Sequence, residues 1–214
     1  MSLMMTRRRR ATNKGFNLIE AAIVLGIVGL VVGGIWVAAT SVYANLRSKR
    51  ATDELLGIAQ SVRALFATST VTGLANVDMT PQMAQANVLP RDTMTQTAAL
   101  TTSANTANPW AGGNISVGSF NVPGTQFYIT FSNVPSAPCV DFVSRNTGPA
   151  RDSGLLSVSG AVGTSGVVLP VPAAGTAMPV AGTPLGLAAI QAAAVCNSAA
   201  AGLVNISFIF TLRG

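Results

Sequence analysis

Histidine is absent from this chain of 214 residues, and lysine occurs only as Lys14 and Lys49. Histidine is the commonest general base of enzymes, and a lysine amine is one of the usual nucleophiles. The sequence also lacks a Gly-rich phosphate loop, a nucleophile elbow and a cluster of metal ligands. We therefore predict no catalytic residue, no metal site and no cofactor, and we expect that the chain is not an enzyme.

Acidic residues are few, and they are scattered along the chain. Asp53 and Glu54 are adjacent, and such a pair on a helix is more typical of a solvated face than of a catalytic dyad. The other acidic residues beyond the N-terminal region are Asp78, Asp92, Asp141 and Asp152.

Charged residues of either sign make up only 9% of the chain, against about 25% in ordinary soluble domains. The net charge of +6 is concentrated at Arg7 to Arg10 and Lys14. Without these five, the 13 basic residues fall to eight against seven acidic ones, a net charge of +1. We expect no nucleic-acid partner, because binding to phosphates needs several clustered cations.

A long uncharged run follows the basic residues, from Ala21 to Leu46, with polar residues only near its end. Its apolar core, residues 21–39, would form a helix about 28 Å long, close to the hydrocarbon thickness of a bilayer, about 30 Å. The preceding cations predict an N-terminus in the cytoplasm. A secretory signal would have a shorter apolar run and an Ala-x-Ala-like site, so we expect this segment to stay with the product.

Cysteine occurs only as Cys139 and Cys196. Two distant cysteines in an exported chain favour one disulfide, and the alternative is a pair of buried free thiols.

Glu20 is a carboxylate at the edge of the apolar run. It would cost about 2.5–3.5 kcal/mol at the bilayer centre and less near the interface. One interpretation is that Glu20 caps the helix N-terminus, where the helix dipole favours an anion. The other is that it awaits a positive partner, such as a free α-amino group at Phe16 of a neighbouring chain.

The segment from Gly15 to Glu20, with cations before it and the apolar run after it, resembles the class III signal of type IV prepilins. The resemblance implies that a prepilin peptidase cleaves between Gly15 and Phe16 and then N-methylates Phe16. It also implies that Glu20 docks the subunit into a helical filament of identical subunits. The implied partners are the peptidase, the pilus assembly machinery of the inner membrane and the membrane itself before assembly.

The helical pattern continues beyond the apolar run, and Arg47, Lys49 and Arg50 mark its exit from the lipid. Apolar residues then recur at three- and four-residue spacing, as in an amphipathic helix. Because no proline precedes Pro81, one helix is predicted from about residue 17 to about residue 68. The residues of the apolar stripe are Leu55, Ile58, Ala59, Val62, Leu65 and Phe66.

Glycine is frequent in the apolar half of this helix. Gly29 and Gly33 form a GxxxG pair, and Gly26 lies nearby. Small residues let helices approach closely in an apolar setting. The alternative is that they soften the helix, since each glycine costs up to about 1 kcal/mol.

The rest of the chain is predicted to begin with a connecting loop over 69–113, containing one short helix near 81–86. Aromatic and β-branched runs predict strands at 115–120, 126–131, 139–143, 155–158 and 204–210. A Gly/Pro/Ala loop is expected over 160–182. A helix from 183 to about 196, with Pro184 at its first position, is expected next.

This layout resembles the type IVb pilins, the bundle-forming and toxin-coregulated group. Asn108 to Gly113 is similar to an Asn-Pro-aromatic-Gly turn of that group, and Cys139 and Cys196 match its C-terminal disulfide. Phe16 is a departure, because it is more typical of the type IVa branch. The implied fold class is α+β: a long N-terminal helix, apolar in its first half, packed against a C-terminal antiparallel sheet.

The resemblance also implies a division of the chain. The parts are a leader at 1–15, a transmembrane and filament-core helix at 16–46, an amphipathic half at 47–68, an αβ-loop at 69–113 and a sheet domain at 114–214. The disulfide would bound region 139–196 and tie a strand at Cys139–Val143 to the end of the Ala-rich helix. In the chain-entropy model it would add about 4 kcal/mol. The last strand would lie centrally in the sheet.

The implied function is that of a structural subunit of a type IV pilus, used for adhesion, aggregation or conjugation. The precursor would reside in the bacterial inner membrane, and the product in an extracellular pilus. Three alternatives stay open: a minor pilin, a type II secretion pseudopilin, and a single-pass inner-membrane protein. A pseudopilin would have a smaller body, often with an acidic calcium loop, and a plain membrane protein would not explain Gly15 and Glu20.

Overall fold

A computed structural model describes residues 17–69, 72, 76–94, 106–121, 124–162, 176–177, 195–196 and 202–213. The helices are α1 (Leu18–Leu65), α2 (Thr80–Gln85) and α3 (Ser136–Asn146), with a 3₁₀ turn at Arg91–Thr93. The strands are β1 (Ile115–Phe120), β2 (Gln126–Pro135), β3 (Leu155–Val162), β4 (Thr176–Ala177) and β5 (Leu203–Thr211). The chain forms two compact units, which divide between Tyr43 and Ala44.

The first unit holds the apolar start of α1. Asn17 begins the helix, because its side-chain oxygen accepts a hydrogen bond from the Ile19 N–H at 3.4 Å and so satisfies a free donor of the first turn. Large apolar side chains on all sides of this segment are exposed, including Leu25 at 70% and Leu30 at 79%. This unit therefore has no core of its own among its described residues.

The second unit begins with the amphipathic half of α1. Leu55, Ile58, Ala59 and Val62 of the predicted stripe are buried, which confirms their orientation. Leu65 is 46% exposed, and Phe66 is only partly buried. The helix ends at Leu65 rather than near residue 68, because the last backbone bonds tighten to three-residue spacing, as from the Ser69 N–H to the Phe66 carbonyl.

The five strands form one antiparallel sheet in the order β1-β2-β5-β3-β4. The last long strand, β5, lies centrally, as predicted. β1 has the predicted bounds, whereas β2, β3 and β5 extend beyond theirs. A register shift between Phe131 and Val134 interrupts β2, where Asn133 adopts a φ of 53°. The α+β fold class, a long apolar N-terminal helix with an antiparallel sheet, is confirmed.

One apolar face of the sheet packs with the buried stripe of α1 and with α3 in a single hydrophobic core. Phe142 of α3 is its centre, because its ring contacts three aromatic neighbours edge to face. The ring centroids lie 5.3 Å from Trp110, 5.1 Å from Phe131 and 5.3 Å from Phe208. Such pairs add about 0.5–1.5 kcal/mol each beyond the area that they bury.

The predicted strand at Cys139–Val143 is wrong, because these residues lie in α3. Pro138 falls in the first helical turn, where its missing N–H costs nothing. Cys139, Phe142 and Val143 are buried at helical spacing. A mostly apolar run of five residues fits either period, so the sequence pattern alone did not separate the two structures.

The predictions for the remaining helices and for the loop over 160–182 had different outcomes. The short helix near 81–86 is confirmed as α2. The loop expected over 160–182 is wrong at its start, where β3 continues to Val162, and at β4. Val195 and Cys196 lie in a turn, and the remainder of the helix expected over 183–196 lies outside the described residues.

Candidate functional site

The first turn of α1 carries Glu20, the acidic residue of the first helical turn. Its side chain is exposed, and it has no ion pair with any residue that the structure describes. This position fits the capping interpretation, since the first turn is where an anion meets the positive end of the helix dipole. Gly15 and Phe16 lie outside the described residues, so cleavage and N-methylation stay predictions.

The glycines of the apolar half have open space around them in the described part of the chain. A Cβ atom added at Gly26, Gly29 or Gly33 would meet no other atom within 4 Å, apart from the helix's own nearby backbone. No close approach among the described residues therefore requires a glycine at these positions. By length and composition, α1 is the one helix in the described ranges that is long and apolar enough to cross a membrane.

The hydroxyls near the end of the apolar run are satisfied by the helix itself. Thr40 Oγ1 donates to the Val37 carbonyl at 2.8 Å, and Ser41 Oγ donates to the Ala38 carbonyl at 3.0 Å. These side chains therefore need no water for their donors. The stretch compatible with an apolar surrounding therefore extends past Ala39 to about Val42.

The turn from Asn108 to Gly113 lies at the edge of the core, where side-chain hydrogen bonds and a buried ring hold it in place. Asn108 Oδ1 accepts from the Trp110 N–H at 2.9 Å, and Asn108 Nδ2 donates to the Ser132 carbonyl at 2.8 Å. The Trp110 side chain is buried against Phe131 and Phe142. A Cβ at Gly113 would collide with the Asn108 side chain and the Ser132 carbonyl, which explains the glycine.

The outer side of this turn borders an open cleft of about 450 Å³. Residues 106–114 form most of its wall, and Arg47 of α1 is the charged side chain among the described residues that line it. Asn133 Nδ2 fixes the turn to the β2 irregularity by donating to the Gly112 carbonyl at 2.8 Å. The cleft was not predicted, because no local pattern brings Arg47 to a turn sixty residues away.

Cys139 and Cys196 form a disulfide, with their Cα atoms 5.8 Å apart. The bond joins α3 to the turn at Val195–Cys196. Gly160 of β3 lies directly beneath this turn, since a Cβ there would collide with the Val195 carbonyl group. The disulfide therefore holds a late segment of the chain against both α3 and the sheet.

A charged triad links α1 to the 3₁₀ turn. Arg50 donates to Glu54 Oε1 at 2.9 Å and to Asp92 Oδ2 at 2.7 Å. Glu54 is only 7% exposed, so the expectation of a solvated face for this residue is wrong. Burial raises the pKa of the Glu54 carboxyl, against the opposing effect of Arg50. The Arg50/Glu54 spacing of four residues was the signal that could have revealed the pair.

A second ion pair fixes the other end of the helix. Arg63 donates to both oxygens of Asp152, at 2.7 and 2.8 Å, and to the Thr211 carbonyl at 3.2 Å. The hydrogen bonds from Arg63 hold the pKa of the Asp152 carboxyl below its usual range. The guanidinium also lies 5.6 Å from the centre of the Phe210 ring. This network locks α1 to β5.

The acidic side chains of the second unit thus act mainly as structural partners. Glu54, Asp92, Asp141 and Asp152 all pair with arginines. In the described part of the chain, no three His, Cys, Asp or Glu residues are close enough to hold a metal ion. In the part of the chain that the structure describes, two features have no partner: the apolar half of α1 with Glu20, and the Arg47 side chain beside the cleft.

A family model matches most of the second unit. This model, described as PilS N terminal, matches residues 46–208. No curated protein matched the chain.

Proposed function

This chain belongs to the PilS N-terminal family, a family related to the type IV pilins, and on that basis we propose that it is a pilin subunit of a type IV pilus. We place it in the type IVb, bundle-forming and toxin-coregulated group. In this proposal it is cleaved after Gly15 by a prepilin peptidase, N-methylated at Phe16 and polymerised through α1. The membership makes it a type IV pilus-related protein. The subgroup, the cleavage, the methylation and the polymerisation are our proposal.

The observation that carries the proposal is the exposed apolar half of α1 with a carboxylate in its first turn. Fully burying one Leu or Ile side chain yields about 1.5–3 kcal/mol, and here many such side chains remain uncovered. A membrane covers them before assembly, and neighbouring copies of the same helix cover them in a filament. The precursor would therefore reside in the inner membrane and the product in an extracellular pilus.

Cleavage after Gly15 would create a new amine next to the apolar helix and remove the five leader cations. In a filament, the Phe16 amine of one chain would pair with Glu20 of the next, which sets their axial register. A buried ion pair loses about 3–5 kcal/mol when one partner is removed. Glu20 should therefore matter for assembly and not for the fold of the second unit.

The glycines fit the same arrangement. Gly26, Gly29 and Gly33 have open space around them, so close packing against another helix is the proposed reason for them. The proposed division of the chain follows: leader 1–15, filament-core helix 16–46, amphipathic half 47–68, αβ-loop 69–113 and sheet domain 114–214. A minor pilin would share all of these features. The abundance of this chain in filaments distinguishes a major subunit from a minor one.

The test compares Glu20→Gln with Asp53→Asn in cells that assemble the filament. Asp53 is a matched control, because it is an exposed carboxylate on the same helix without an ion pair among the described residues. We expect Glu20→Gln to reduce sheared filaments more than about tenfold, with normal precursor in the membrane, and Asp53→Asn to leave them unchanged. Wild-type filament yield from Glu20→Gln would refute the docking role.

A further inference from the structure

The cleft beside Arg47 presents an unpaired cation to solvent. Arg47 is exposed, and no described carboxylate lies within ion-pair distance of it. Its neighbour Arg50 is different, because Glu54 and Asp92 both bind that guanidinium. The local charge at the cleft is therefore positive.

The opposite wall of the cleft is preformed. The Asn108–Gly113 turn is fixed by the Asn108 hydrogen bonds and by the buried Trp110 ring. Ala111 and Gly112 are exposed at the tip of this turn, and a Cβ at Gly112 would meet no atom within 4 Å. The space between the turn and Arg47 is therefore open to a ligand without rearrangement of the fold.

Arg47 stands directly after the exposed apolar run of α1. Residues 21–46 would make about 39 Å of helix, which nearly matches the full thickness of a bilayer with its headgroups, about 40–45 Å. The Thr40 and Ser41 hydroxyls bond to helix carbonyls and do not force an earlier exit from the lipid. In a membrane-inserted chain, Arg47 would lie at the level of the outer headgroups.

We propose that the cleft between Arg47 and the 106–114 segment binds the phosphate headgroup of an anionic phospholipid. The inference rests on the membrane-inserted stage of the proposed function. A guanidinium matches phosphate in a bidentate geometry, which makes arginine the preferred residue for this ligand. Pro109 and Ala111, which line the opposite wall, would contact the glycerol carbons. Bound lipid would hold the subunit in the bilayer until it is extracted for polymerisation.

The experiment uses the full chain in nanodiscs of phosphatidylethanolamine, with or without phosphatidylglycerol. Lipids that remain bound after mild detergent extraction are counted by native mass spectrometry. We expect retained phosphatidylglycerol on the wild-type chain, and about a fivefold loss of retention in Arg47→Gln. Arg213→Gln is the matched control, because it removes an exposed cation of the same unit that does not line the cleft.

A second variant tests the cleft without removing Arg47. Ala111→Glu places an anion at the exposed turn, and we expect it to lower phosphatidylglycerol retention as Arg47→Gln does. Equal retention by wild type, Arg47→Gln and Ala111→Glu would overturn the headgroup site, although the membrane stage would stand. Failure of the wild-type chain to enter nanodiscs would overturn both the site and the membrane stage.

Discussion

The two halves of α1 put the same kinds of side chain in opposite surroundings. Ile27 in the first half is 61% exposed, whereas Ile58 in the second half is fully buried. The second half is covered by the sheet and α3 of its own chain, and the family match begins at residue 46, close to this change. No described residue of the chain covers the first half of this helix, so lipid or other copies of the chain have to cover it.

The largest expected effect concerns the second unit alone. Replacing both cysteines, Cys139→Ala with Cys196→Ala, should lower the free energy of unfolding of this unit by about 4 kcal/mol, because the unfolded chain gains the entropy of an open loop. Urea unfolding of the full chain in detergent micelles measures this. Reduction of the wild-type disulfide should shift the midpoint equally, and an unchanged midpoint in the double variant would contradict the prediction.

Replacing one isoleucine by alanine in each half of the helix directly tests whether only the second half is part of a packed core. Ile58→Ala should destabilise the second unit by about 3 kcal/mol, the usual cost of a large-to-small change in a packed core. Ile27→Ala should stay within about 0.5 kcal/mol in the same urea titration. If both variants unfolded at the same midpoint, the two halves would not differ as described.

Asp152→Asn should cost about 2 kcal/mol at neutral pH, because the bonds from Arg63 to a carboxylate become bonds to a neutral amide. The pKa of Asp152 is lowered in the fold, below the usual value of about 3.9. Its contribution is therefore present above that value and is lost as pH falls through the folded-state pKa. Urea titrations at pH 7 and below about pH 3 should show the variant and wild type converging in acid. A constant difference across this range would contradict the assignment.

Glu54→Gln should have the smallest effect, a gain in stability within about 1 kcal/mol at neutral pH. Burial raises the pKa of Glu54, so the fold disfavours its charged form. The penalty exists above the folded-state pKa and disappears below the unfolded value, about 4.3. Thermal unfolding against pH measures this, and a loss of stability at pH 7 would show that the pairing with Arg50 outweighs burial.

Sequence patterns predicted the features that depend on local periodicity. The bounds of β1 were confirmed, because turn-forming residues, Gly113 and Asn121, flank the run of strand-forming residues on both sides. The buried stripe of α1 was confirmed at four positions because helical spacing alone selects them. The strand prediction for Cys139–Val143 was wrong, because five residues do not distinguish a strand from a helix. The neighbouring Pro138 is also compatible with a first helical turn.

The site features that were missed depend on distant contacts. Glu54 is the exception, because it lies four residues before Ile58 on the buried stripe, where helical spacing could have indicated its burial. Arg63, in contrast, meets Asp152 across a separation of 89 residues. The cleft needs Arg47 beside a turn that lies far along the chain. The opposite holds for Glu20, which was found because its spacing from Gly15 and the apolar run is a short-range pattern. Its proposed role in docking depends on another chain.

The central claim is that the exposed half of α1 becomes the core of a filament. The most direct measurement is the intact mass and the N-terminal residue of the main subunit in filaments sheared from the source cells. We predict a subunit that starts at N-methylated Phe16, with two hydrogens missing for the Cys139–Cys196 disulfide. A chain that starts at Met1 in the membrane fraction, with no filament signal, would contradict the claim and favour a single-pass membrane protein.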